Sequence, residues 1–133
     1  MTKRKGLRAS VVLALALGAT VSFSTHASAV TPCPVNAICL YQDEAFGGGM
    51  FAWVAPPTAV LQQQNLNTPG FYFPRAVPVN DNVSSIINNS NYVGHFWTNA
   101  SYSGYKIDVA AHGWNSKLST AGFDNSISSF TNR

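Results

Sequence analysis

Charge is scarce in this chain. Of 133 residues, eight are Lys or Arg and five are Asp or Glu. Half of the basic residues (Lys3, Arg4, Lys5, Arg8) fall at the very start, and none follows until Arg75. From residue 30 onward four basic residues (Arg75, Lys106, Lys117, Arg133) face five acidic ones (Asp43, Glu44, Asp81, Asp108, Asp124), a net charge of −1. A near-neutral body has no electrostatic footprint for nucleic acid and no polybasic patch for a membrane surface. Both partner classes are set aside.

Long apolar runs are missing too. The basic start is followed by an apolar stretch from Val11 to Val21 and then by Ala27-Ser28-Ala29. That is the order of a secretory signal: charged region, apolar region, small-residue cleavage site. The run is too short for a bilayer, which takes about 20 apolar residues in a helix. Residues 1–29 are therefore expected to be a signal peptide. Residues 30–133 are expected to be a single secreted domain, monomeric and without membrane attachment after cleavage.

Cysteine is limited to Cys33 and Cys39. In an exported chain such a pair reads as one disulfide, here a clip on the N-terminal arm. Its loop is short, so its stabilisation is expected near ~2 kcal/mol in the chain-entropy model. Catalytic patterns are also lacking. No Cys-x-x-Cys, His-Glu-x-x-His or Gly-x-Ser-x-Gly occurs, and His95 and His112 lack zinc-ligand spacing. Asp43 and Glu44 are adjacent, and neighbours on a strand point to opposite faces, so they make no acid/base pair. An enzyme is not expected.

Helical periodicity is absent from residue 30 onward; Thr58 to Leu66 is the nearest candidate, and it is short. What is present instead is turn chemistry and bulk. Residues 30–133 contain twelve Asn, ten Ser and six Thr, which favour turns over helix interiors, and fifteen aromatics, enough for a packed core.

The chain also contains one pattern twice. Tyr41-Gln-Asp-Glu-Ala-Phe46-Gly-Gly48 has its spacing repeated 56 residues later in Trp97-Thr-Asn-Ala-Ser-Tyr102-Ser-Gly104. Asn80-Asp-Asn-Val-Ser-Ser85 is matched by Asp124-Asn-Ser-Ile-Ser-Ser129, with Ile86 and Phe130 behind. The copies run from about 37 to 90 and from about 93 to 133. Strand-like runs flank each glycine turn: Ile38–Tyr41 and Gly49–Val54, then His95–Trp97 and Tyr105–Val109. Gly48 and Gly104 suit positive φ. The first copy carries twelve more residues than the second between its two motifs, assigned to the region of Gln62 to Gly70. Long loops on a β scaffold are common places for recognition.

The aromatic-x4-aromatic-x-Gly hairpin followed by Asn/Asp-Asn/Asp-x-x-Ser/Thr-Ser resembles the calcium-binding Greek-key motif of the βγ-crystallins. The resemblance implies an all-β sandwich of two Greek-key motifs. It also implies two Ca²⁺ sites in which each motif lends a hydroxyl to the other. Carried over, one site would use Asn82, the Asp81 carbonyl and Ser128; the other would use Ser126, the Asn125 carbonyl and Ser84. Backbone carbonyls early in the hairpins, at Gln42 and Thr98, would complete the shells. With Asn82 and Ser126 where a carboxylate would add charge, the expected Kd is roughly 10⁻⁴–10⁻³ M.

A small exported domain of this kind, opened by Cys33-Pro…Ile38-Cys39-Leu-Tyr41, is similar to the Streptomyces metalloproteinase inhibitor family. That implies a non-enzymatic peptidase inhibitor whose partner is an extracellular protease. The family pattern has two disulfides, and this chain has cysteines for one. The segment 56–79, with Gln62, Gln63, Gln64, Asn65 and Leu66 at its centre, is the expected inhibitory loop. The same resemblance also covers killer-toxin-like antimicrobial proteins and calcium-stabilised coat proteins.

Overall fold

The computed structural model describes residues 29–133, so the expected signal peptide lies outside the described residues except for Ala29. Among them there is no α-helix. The chain runs β1 (Ala37–Tyr41), β2 (Met50–Val54), β3 (Gln62–Gln63), β4 (Tyr72–Phe73), β5 (Val77–Pro78), β6 (Ser85–Asn88), β7 (Gly94–Asn99), β8 (Ser103–Val109), β9 (Gly113–Asn115) and β10 (Ser129–Asn132), with three single 3-10 turns between them.

The strands form two four-stranded antiparallel sheets and one small hairpin. One sheet has the order β2-β1-β6-β9 and the other β3-β10-β7-β8, while β4 pairs with β5. Each sheet takes three strands from one copy and its edge strand from the other. β9 of the second copy lies on β6, and β3 of the first lies on β10.

The sequence shows why β1 is central. All five of its residues are buried, Ile38 and Leu40 in the main core and Ala37, Cys39 and Tyr41 on the opposite face. That opposite face is covered by the N-terminal arm, clipped on by a Cys33–Cys39 disulfide and by the Tyr41 hydroxyl donating to the Thr31 carbonyl at 2.9 Å. Its counterpart β7 alternates, sending Phe96 inward to stack on Phe130 with ring centroids 5.9 Å apart. Trp53 meets the edge of Phe130 at 5.5 Å and stacks on Phe71 at 5.1 Å, closing the core across the sheets.

Both hairpins fold over in the same way. Tyr41 and Phe46 stand 5.6 Å apart, and Trp97 and Tyr102 stand 5.2 Å apart. Two consecutive left-handed residues make each bend: Ala45 and Phe46 (φ 52° and 62°), then Ser101 and Tyr102 (58° and 56°). Gly48 and Gly104 follow at φ 67° and 83°; a β-carbon on Gly48 would stand 2.7 Å from the Asp43 carboxylate.

Non-glycine residues in that region are strained, and a buried hydroxyl holds each bend. Ser85 Oγ accepts the Phe46 amide at 3.0 Å and donates to the Asp43 carbonyl at 2.6 Å. Ser129 does the same for Tyr102 (3.1 Å) and Asn99 (2.6 Å). The closing serine of each sequence motif is therefore a hairpin pin.

Thr58 to Leu66 forms turns and β3, with no helix; Leu61 and Leu66 are drawn into the core. Ser85→Ala and Ser129→Ala each leave a part-buried amide and carbonyl without the buried hydroxyl that joins them, at about 1–3 kcal/mol. Each is expected to lower Tm by about 4–15 °C, while exposed Ser116→Ala changes it little. Thermal unfolding followed by circular dichroism checks this.

Candidate functional site

The two Asn/Asp/Ser loops meet at the junction of the sheets. Asp81 and Asn125, the second residues of the motifs, both adopt left-handed backbone (φ 56° and 51°), which Asp and Asn tolerate. The Asp81 amide donates to the Ile127 carbonyl and the Asn125 amide to the Val83 carbonyl, at 3.2 and 3.0 Å, so each loop is stitched to the other. Side chains cross as well. Ser128 Oγ donates to the Asp81 carboxylate at 3.0 Å, and Ser84 Oγ approaches the Asn125 side-chain oxygen at 3.4 Å.

The expected exchange of hydroxyls between motifs thus has its partners side by side. Asn82 and Ser126 turn back on their own loops, to the Asn80 and Phe123 carbonyls at 3.0 and 2.8 Å. Missing from the sequence reading was the Asp81 side chain, considered there only for its carbonyl. Its carboxylate accepts the Ser128 hydroxyl of the opposite loop, and its sign in the sequence was the charge itself.

The Ser84 amide donates to the Tyr41 carbonyl and the Ser128 amide to the Trp97 carbonyl, both at 2.9 Å. Gln42 therefore lies next to the residue that holds Ser84, and Thr98 next to the one that holds Ser128. Gln42 also borders a cleft of about 450 Å³ with Asp43, Gly48, Gly49, Pro74 and Arg75.

Among the described residues no three His, Cys, Asp or Glu side chains cluster as a metal site. The loops offer carboxylate, amide, hydroxyl and carbonyl oxygens. That donor set fits a hard, oxygen-seeking cation such as Ca²⁺ and does not fit a soft metal.

The first copy's extra residues fall on both sides of β3. From Val54 to Gln62 is eight residues where Ala110 to the register-equivalent Trp114 is four; from Leu66 to Asp81 is fifteen where Leu118 to Asn125 is seven. The expected inhibitory loop is accordingly not a free loop. Gln62 and Gln63 pair with Thr131 and Phe130, the Gln64 carbonyl accepts the Ser101 amide at 2.7 Å, and Leu66 is 1% exposed with its amide on the Ser128 carbonyl. The same register need that fixes β9 fixes β3.

Past buried Leu66 the chain opens at Asn67. Residues 67–70 (Asn-Thr-Pro-Gly) are all exposed, and the turn behind them is braced. Asn65 Oδ1 accepts the Asn67 amide at 2.8 Å, and Thr68 Oγ1 and Gln63 Nε2 both donate to the Asn65 carbonyl at 2.7 Å.

Against this geometry stand the comparisons. The model of peptidase inhibitor family I36 matches residues 26–109. The chain belongs to peptidase inhibitor family I36. That is a family of inhibitors and not of enzymes. The same span holds the disulfide-clipped arm, the whole first copy and the second hairpin.

Solved structures agree on the fold. A structure bearing on the evolution of the eye lens βγ-crystallin domain fold is similar over 76% of this chain and 89% of its own, at 19% identity and a TM-score of 0.61. A βγ-crystallin from Ciona intestinalis covers 73% of this chain and 99% of its own, at 24% identity and a TM-score of 0.55. An archaeal βγ-crystallin covers 75% and 100%, at 25% identity and a TM-score of 0.53. The I36 chain is thus built as a βγ-crystallin-type Greek-key sandwich. No curated protein sequence is significantly similar to it.

One further cluster of the I36 chain was not singled out in the sequence. On the outer face of the second sheet, His95 Nδ1 lies 2.6 Å and Lys106 Nζ 3.1 Å from the Asp108 carboxylate. Register brings them together: His95 faces Asp108 across β7 and β8, and Lys106 lies two residues before it. Partial burial raises the Asp108 pKa, but the hydrogen bonds from His95 and Lys106 and their charge outweigh it, so the carboxyl sits below its usual 3.8.

A lowered folded pKa adds stability that is present above the unfolded value and lost as the pH falls through the folded one. Asp108→Asn is expected to be less stable than the parent near pH 6. The gap should close as the pH is lowered below about 4. Tm measured against pH for both proteins checks the sign.

Proposed function

We propose that this I36 chain is an exported inhibitor of metallopeptidases, presenting the exposed turn at residues 67–70 and bracing its two motif loops with Ca²⁺. The family membership carries the reading. The basic-apolar-small order of the first 29 residues supports export, and the cysteine clip fits an oxidising compartment. No helix among the described residues is long and apolar enough to cross a membrane.

The physical logic lies in the brace. An inhibitor that binds in substrate-like fashion must present chain a protease can reach without losing much ordering entropy. Residues 67–70 are flanked by Leu66, buried in the core, and Phe71, stacked on Trp53. The Asn65-centred hydrogen bonds fix the entry to the turn. In this arrangement Gln62, Gln63 and Leu66 hold the presenting segment in place, and Gln64 and Asn65 border it.

Calcium would join the loops at Asp81 with Ser128 and at Asn125 with Ser84, with Asn82, Ser126, Gln42 and Thr98 as neighbouring oxygens. Its chemistry would be electrostatic bracing of two strained loops. At about 1 mM Ca²⁺ and the Kd expected for so few charges, it would add ~0.5–1.5 kcal/mol. The measurement is Tm in Ca²⁺ and in EDTA: a rise of a few degrees that Asp81→Asn reduces is expected, and an unchanged Tm removes calcium from the reading.

Titration of the purified protein against a thermolysin-type metallopeptidase and a subtilisin-type serine peptidase tests the inhibitor. Nanomolar inhibition of the metallopeptidase is expected. Replacing residues 67–70 by Gly-Ser-Gly-Ser should weaken it roughly 100-fold, ~2.7 kcal/mol, with Tm unchanged. No inhibition by the parent at tens of micromolar would overturn the proposal.

A further inference from the structure

The outer faces of the two sheets occupy matching positions and are finished in opposite ways. Strand register sets the equivalences: Cys39, Tyr41, Met50 and Ile87 on the first sheet correspond to His95, Trp97, Lys106 and Thr131 on the second. On the first sheet these positions are apolar and packed, together with Phe46, beneath Cys33 of the arm. On the second sheet three of the four, His95, Lys106 and Thr131, are polar, and with Trp97, Tyr102 and Arg133 they line an open cavity of about 340 Å³. The fold itself is satisfied by apolar residues there, so the polar set is not an architectural need.

Two of the residues lining this cavity carry unpaired hydroxyls. Thr131 is 5% exposed, and its Oγ1 has no hydrogen-bond partner among the described residues; the buried hydroxyl of Tyr102 has none either. Buried hydroxyls are ordinarily paired, and unpaired ones at a cavity wall are poised for a ligand group that both donates and accepts. Beside them stand the rings of Trp97 and Tyr102, 5.2 Å apart, and the His95 ring, 6.0 Å from Trp97. Lys106 and His95 are both held on the Asp108 carboxylate, which leaves Arg133 as the lining cation with no ion pair among the described residues.

Aromatic faces beside unpaired hydroxyls and rim donors suit a ring that is apolar on one side and rimmed with hydroxyls, and Arg133 makes an anionic comparison necessary. The volume lies at the lower end of the range for small-ligand pockets. Across Tyr102 a second cleft, of about 400 Å³, is lined by side chains of the same neutral donor-and-acceptor kind, among them Gln62, Gln64, Asn65 and Thr68.

We propose that the outer face of the second sheet, at Trp97, Tyr102 and Thr131, binds a neutral pyranose sugar. The proposal does not depend on the peptidase-binding assignment, although Tyr102 also borders the cleft that Thr68 of that turn lines.

The test is a nuclear magnetic resonance titration of the ¹⁵N-labelled protein with four probes: the methyl glycosides of glucose, galactose and mannose, and N-acetylglucosamine. Each is taken to about 50 mM, with inorganic phosphate as the anionic comparison. At least one sugar is expected to shift the Trp97 indole N–H and the Tyr102 and Thr131 amides, saturating in the millimolar range. Thr131→Val, which keeps the shape and removes the hydroxyl, should weaken that binding at least about fivefold while leaving Tm equal or higher, since an unpaired buried hydroxyl is unfavourable to folding. Lys106→Ala, at the exposed rim, gives a second variant that keeps the core intact, and it should weaken binding too. No shift with any of the four sugars overturns the proposal, as do shifts that neither substitution alters. Phosphate shifting these residues where sugars do not would equally overturn it.

Discussion

Each sheet is completed by a strand from the other copy, and most of what the molecule presents follows from that exchange. β9 closes the first sheet against β6, and β3 closes the second against β10. The crossing segments must pass the motif loops to do so, which is why the Leu118 amide ends on the Ser84 carbonyl and the Leu66 amide on the Ser128 carbonyl, at 3.0 and 2.8 Å. Neither copy can bury its own inner face without the other. Loops that bring oxygens from both motifs together exist only in the assembled pair.

The same exchange decides where the surface can vary. β3 and β9 are fixed by their partners, so the twelve additional residues of the first copy are confined to the stretches on either side of β3. The stretch after β3 opens with the exposed turn at 67–70, directly behind buried Leu66. A rigid frame and a short open segment are what an inhibitor needs, since binding then orders little. The two outer faces are freed from symmetry in another way: the arm seals one, with its disulfide and its Thr31 carbonyl, and leaves the other open.

Much of this was legible in the residues. The repeated aromatic spacing located both hairpins, and Gly48 and Gly104 do have the positive φ that their place in the spacing requires. The all-β class and the Cys33–Cys39 bridge also stand in the structure. Three things were not legible. β3 could not be told from loop, because Gln-Gln carries no alternation and its pairing with Thr131 and Phe130 is wholly long-range. Which of Gln42 and Thr98 lies beside which serine was open in the sequence, because it is set by the packing of one copy on the other. The outer face of the second sheet was invisible because His95, Lys106 and Thr131 come from three different strands, and only the register places them in one cavity.

Interlocking is the claim on which the rest stands, and native-state hydrogen exchange in rising urea tests it most directly. The amides of Leu40 in β1 and Phe96 in β7 sit at the centres of the two sheets and report on one copy each. Two copies that complete each other's sheets can open only together. Both amides should then exchange through one global unfolding event, with the same free energy and the same urea dependence. Exchange of Phe96 at a clearly lower free energy than Leu40, or the reverse, would mean that one copy opens while the other stays folded, and would contradict the interlocked sandwich.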